Sequence, residues 1–160
     1  PVEALLARGD AASALHRVQM LGALLVSAEM AGVAQGVFEL TLEYLKTRDQ
    51  FGVKIGTFQA LQHRAAKVYM EIELARSTVM AASRALDTGD KQAAQLVSLA
   101  KARCSDAYIL ATNEGVQIFA GVGMTDEYDI GLYMKRDRAL QEFMGDVNYH
   151  TNLVAEMHGY

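Results

Sequence analysis

Apolar residues recur at intervals of three and four along almost the whole chain, and a single proline in 160 residues is available to interrupt them. Side chains on that spacing share one face of a helix, and proline is the residue that would break it. A first helix is read from Ser13, a residue able to cap it, to about Lys46. Its stripe is Leu15, Val18, Leu21, Leu25, Ala28, Val33, Val37, Leu40 and Leu45. A second runs from Thr57 to about Asp87 on Leu61, Ala65, Val68, Ile72, Ala75, Val79 and Ala82, and stops at the turn-forming Asp87-Thr88-Gly89-Asp90. Its opposite face carries Arg64, Lys67, Glu71 and Arg84, which read as a solvated surface. A third, alanine-rich helix extends from Lys91 to about Phe119. The pattern resumes weakly from Gly131 to Leu140, and again through Val147–Met157. No alternating pattern competes with it. The expected fold is all-α, an antiparallel up-and-down bundle of three long helices plus one or two shorter C-terminal helices, forming one domain over 1–160.

Composition removes several classes of function. A formal charge of −4 and an isoelectric point near 5.5 offer no basic footprint, so no nucleic-acid partner is expected. With 51% hydrophobic and 21% charged residues the chain falls in the globular range. Its longest apolar stretch, Met20–Val26, is too short to cross a membrane, so no membrane partner is expected. The one cysteine, Cys104, cannot form an intrachain disulfide and fits a reducing, cytoplasmic setting. His16, His63, His150 and His158 lack metal-ligand spacing, so no metal site is expected. The eight methionines read as soft core or interface filler.

The stretch from Glu43 to Gln59 does not fit a packed helix. Gly52 and Gly56 permit backbone conformations costly to other residues, Thr57 is placed to cap the next helix, and Arg48 and Gln59 flank the corner. The run Tyr44-Leu45-x-x-Arg48-x-x-Phe51-Gly52-x-x-Ile55-x-x-Phe58-Gln59 resembles a signature of the C-terminal domain of acyl-CoA dehydrogenases. A second block, Gln117-Ile118-Phe119-Ala120-Gly121-Val122-Gly123 followed by Glu127-Tyr128, is similar to the family's glycine loop, with Ala120 where the family has its first glycine. Arg136-Asp137 follows where the family has Arg-Asp.

The resemblance implies a flavoenzyme that removes a proton alpha to an acyl-CoA thioester while a hydride passes to FAD. It implies that Arg48 and Phe51 contact the FAD diphosphate of a neighbouring subunit, and that Gln59, Gln117 and the loop around Gly121 are further cofactor contacts. It implies a homo- or hetero-oligomer, dimer or tetramer, with an electron-transfer acceptor. Members of the family also have an N-terminal helical domain and a middle β-domain, so a chain of this length starting without Met reads as part of a longer protein. The isolated domain is expected to be inactive.

The catalytic base is where this chain departs from the resemblance. The usual glutamate falls on Met144, and the alternative position on the first helix falls on Gly22. A thioether cannot accept the proton. Asp146 and Glu142 are the nearest substitutes, and each also reads as a loop or helix-end carboxylate. An Asp and an Arg often offered to the CoA side are replaced by Met20 and Ala23. Loss of substrate-side groups beside surviving cofactor-side groups resembles a base-lacking subunit of a heteromeric enzyme. Two readings therefore stand: the C-terminal domain of a flavin-dependent acyl-CoA dehydrogenase, or a non-catalytic partner subunit.

Overall fold

The computed structural model describes residues 11–160. Five α-helices make up the bundle: α1 (Ala11–Thr47), α2 (Gln59–Thr88), α3 (Ala93–Phe119), α4 (Ile130–Glu142) and α5 (Val147–Met157). The all-α expectation of three long helices plus one or two shorter ones holds, with two shorter helices present. α3 is the central element, packed against α1, α2, α4 and α5. Small residues let it approach closely: Ala34 of α1, Ala75 of α2 and Ala107 of α3 are buried among Met30, Val37, Ile72 and Tyr108, and Ala100 of α3 among Ala23, Leu24, Ala82 and Val97.

Several local expectations are corrected. α1 is already helical at Ala11, so Ser13 lies inside it rather than capping it. Thr57 does not cap α2 either; its hydroxyl donates to the Lys54 carbonyl at 2.7 Å, and the cap position belongs to Phe58, which has no side-chain bond to offer. The apolar stripe read along the N-terminal half of α1 does not face the core. Leu15, Val18, Leu21 and Leu25 are exposed, whereas Ala23, Leu24, Val26 and Ser27 are buried. That half is apolar nearly all round, so periodicity could not choose a face. By length and composition α1 would pass as a membrane span, and 44% of its most apolar window is buried within the bundle.

Strand structure, absent from the sequence reading, occurs once among the described residues. β1 (Asp49–Gln50) pairs antiparallel with β2 (Val53–Lys54) around a two-residue tip, Phe51-Gly52, in which both φ angles are positive (56° and 79°). Two positive values in a two-residue tip match the right-handed twist of a hairpin. Lys54 Nζ ties the base of the hairpin, donating to Asp49 Oδ2 (2.7 Å) and the Thr47 carbonyl (2.9 Å). The other glycine of this corner serves close packing instead. A Cβ on Gly56 would lie 2.7 Å from the Leu45 carbonyl, so only glycine lets the corner close onto α1.

A buried polar seam joins α3 to α4. Lys101, Ser105, Tyr108 and Thr112 follow one another at helical spacing on one face of α3. Tyr108 donates to the Tyr133 carbonyl (2.9 Å), Thr112 to Asp137 Oδ2 (3.3 Å) and Lys101 to the Gln141 carbonyl (3.1 Å). Asp137 is buried with its second oxygen unpaired, and desolvation raises its pKa.

Candidate functional site

Two regions combine polar groups with left-handed backbone at non-glycine residues. The first lies where α1 ends, α2 begins and α3 gives way to the glycine loop. There Arg48, Gln50, Phe51, Phe58, Arg64, Gln117 and Gly121 line a cavity of about 720 Å³. Its floor is aromatic: Tyr44 stacks on Phe119 at 4.1 Å, and Tyr128 meets both rings edge-on. The fold thus brings Arg48, Phe51, Gln117 and Gly121 together from stretches of chain far apart in sequence. Gln59 is exposed at the first position of α2 and is not part of the lining.

Among the described residues, the Arg48 guanidinium and the Gln117 amide make no side-chain hydrogen bond or ion pair. Phe51 holds its ring out at 90% exposure from the hairpin tip. A cation with five donors, a free amide and an exposed aromatic face form a donor set suited to a phosphate-bearing aromatic ligand. The glycine loop divides its labour. Gly123 is structural, since a Cβ there would meet Phe119 Cβ and the Val116 carbonyl at 2.9 Å; a Cβ at Gly121 would meet nothing within 4 Å. Ala120, the residue in place of a glycine, has φ 53° and ψ −134°, a conformation natural only to glycine.

The second region is the turn between α4 and α5. Met144 (φ 62°) and Gly145 (φ 99°) both adopt left-handed backbone there. Two buried side chains hold the turn. Lys101, with no exposed surface, donates to the carbonyls of Gln141 (3.1 Å) and Gly145 (2.8 Å) and to Ser105 Oγ (3.3 Å). His150 Nε2 lies 2.8 Å from the Met144 carbonyl; a carbonyl only accepts, so Nε2 carries the proton. Burial lowers the pKa of both side chains.

So held, Met144 lays its thioether on Gly22 of α1, where an added Cβ would stand 2.7 Å from Met144 Cε. The two positions singled out as base sites therefore meet at one point. Asp146 accepts from the Tyr149 N–H at 2.8 Å and caps α5, while Glu142 is exposed at the end of α4. Glu29 of α1 pairs with Arg136 of α4, whose Nε donates to it at 2.8 Å. Beside Met144 an apolar cavity of about 420 Å³ opens between α1, α3 and α5, with Met20, Ala23 and His150 in its wall.

The non-glycine residues with positive φ among those described are Phe51, Ala120 and Met144. All three stand in these two regions, and such backbone strain concentrates at functional sites. No pattern in the sequence announces it at Phe51 or Met144. Arg64 is a further lining residue that sequence reasoning missed, because helical spacing places it on a face that reads as solvated. Its contribution to the cavity depends on the end of α3 arriving beside it.

A helical-bundle domain with a phosphate-suited cavity at its glycine loop is the class these features define. The family model described as acyl-CoA dehydrogenase, C-terminal domain, matches residues 13–158, and the chain belongs to the acyl-CoA dehydrogenase family. It is 41% identical over 114 residues to the acyl-CoA dehydrogenase IpdE2 of Mycobacterium tuberculosis, covering 71% of this chain and 34% of that protein. Butyryl-CoA dehydrogenase from Megasphaera elsdenii superposes with a TM-score of 0.84 at 28% identity, over 90% of this chain and 38% of that one. The Tcur3481-Tcur3483 steroid ACAD gives a TM-score of 0.88 at 27% identity, over 94% and 41% respectively. The chain spans about a third of the length of the curated relatives it matches.

Proposed function

We propose that this chain is the C-terminal domain of an FAD-dependent acyl-CoA dehydrogenase subunit that holds the cofactor and builds the oligomer without supplying the catalytic base. The observation that carries the cofactor half is the convergence on one cavity beside Gly121 of an exposed Phe51 with Arg48 and Gln117, whose side chains have no partner among the described residues. Arg48 supplies a guanidinium fork to the diphosphate, Gln117 an amide, and Gly121 a backbone that a ligand can approach without meeting a side chain. FAD, when bound, accepts the hydride in the family's α,β-dehydrogenation of an acyl-CoA thioester.

The contact of Met144 with Gly22 favours the base-lacking reading over a self-sufficient enzyme. Neither residue accepts a proton, and Asp146 is engaged as the cap of α5. A sister subunit then provides the carboxylate. The exposed Leu15, Val18 and Leu25 of α1, with Tyr69, Met70, Leu74 and Met80 of α2, are the faces to be covered by the remainder of the protein and by neighbouring subunits.

The test is the visible spectrum of the full-length protein, purified alone and then with its sister subunit. Flavin retention with acyl-CoA-dependent bleaching only in the mixture is the expected result. Bleaching by the protein alone overturns the base-lacking reading and leaves the cofactor reading intact; failure to retain flavin in either state overturns both.

A further inference from the structure

We propose that Arg64 is a second cationic contact for the cofactor's diphosphate, held in place by Glu114; this rests on reading the cavity beside the glycine loop as the FAD site. Leu61 and Arg64, one turn apart on α2, both line the cavity that Arg48 lines from the end of α1. The Arg64 guanidinium lies 3.0 Å from Glu114 Oε2 on α3, with the arginine side chain 45% and the glutamate side chain 21% exposed. An exposed ion pair contributes little to stability on its own. This one joins two helices at the wall of a cavity as an ionic contact without an aligned hydrogen bond, and among the described residues the Arg64 guanidinium makes no hydrogen bond, which leaves its donors for a ligand.

Charge supplies the second argument. A diphosphate has two anionic groups, and the single positive charge of Arg48 leaves part of that charge uncompensated. Five N–H donors in a rigid fork allow Arg64 to keep Glu114 on one side and accept a phosphate on the other. Glu114 acts through Arg64 and is a positioning residue. The cavity then presents two arginines, from the end of α1 and from α2, together with Gln117 of α3.

The experiment uses the full-length flavoprotein in its assembled form, stripped of flavin and titrated with FAD, with ADP and with riboflavin. Arg64→Met is expected to weaken FAD and ADP about tenfold, the loss of one charge-assisted contact, and to leave riboflavin, which has no phosphate, unchanged. Arg64→Lys, which keeps the charge and loses the fork, is expected to fall between. The double variant Arg64→Met/Glu114→Met, which orphans no carboxylate, is expected to match Arg64→Met and guards against a folding defect. Unaltered FAD and ADP binding in both Met-bearing variants, while Arg48→Met weakens FAD, overturns the role of Arg64 alone. If Arg48→Met also leaves FAD binding unchanged, the cofactor reading of the cavity fails with it.

Discussion

Replacing Lys101 with methionine tests whether a buried ammonium holds the turn between α4 and α5. The side chains have similar length, so the main change is the loss of donors to the Gln141 and Gly145 carbonyls and, at 3.3 Å, to Ser105 Oγ. Each of the two shorter charge-assisted bonds contributes about 2 kcal/mol, roughly 4 kcal/mol together. Against this, an apolar group is spared the desolvation of the ammonium, and replacing buried charge by packed hydrophobe returns about 2 kcal/mol. The net expectation is a loss of about 2 kcal/mol at neutral pH, or roughly 4–8 °C in Tm for a domain of this size. The pH dependence has a definite sign. Desolvation lowers the folded-state pKa of Lys101 below the unfolded value, so between those two values the unfolded chain binds more protons and stability rises with pH. Denaturant unfolding followed by circular dichroism, at neutral pH and again near pH 10, should therefore show a wild-type advantage that widens with pH. A variant as stable as wild type, or an advantage that narrows as pH rises, would refute the reasoning.

Two further predictions concern backbone and cap. Ala120→Gly should relieve strain of about 1–3 kcal/mol at φ 53°, offset by about 0.4–1 kcal/mol of unfolded-state entropy, for a net gain of roughly 1 kcal/mol; a lowered melting temperature would contradict it. Asp146→Ala should cost about 1 kcal/mol by removing the cap of α5. It should leave acyl-CoA-dependent flavin reduction by the assembled protein unchanged, and loss of reduction in a variant that still folds and binds flavin would reinstate Asp146 as the base.

The legible part of the fold was the part set by local periodicity. The span read for α5, Val147–Met157, matches the structure, and the ends of α2 and α3 fall within two residues of those read from Gly89 and the glycine loop. α1 was harder because its N-terminal half is apolar on every side, so Leu15 and Leu25 look no different from Leu24 until neighbours are in place. At the cavity, Arg48, Phe51, Gln117 and Gly121 were named through the resemblance their motifs carry and not from periodicity, whereas Arg64 depends on which helix ends beside it. Positive φ at Phe51 and Met144 is invisible in the sequence because neither residue type signals it.

The meeting of Met144 with Gly22 ties two distant parts of the chain to one small volume. One point in space is reachable from two addresses, a turn near the end of the chain and the first long helix. They compete for the same space: a side chain at residue 22 would have to displace the methionine's terminal methyl. Substitutions at residues 22 and 144 are therefore expected to trade volume with each other. The turn does not depend on which side chain fills that space, because Lys101 and His150 grip the carbonyls of Gly145 and Met144.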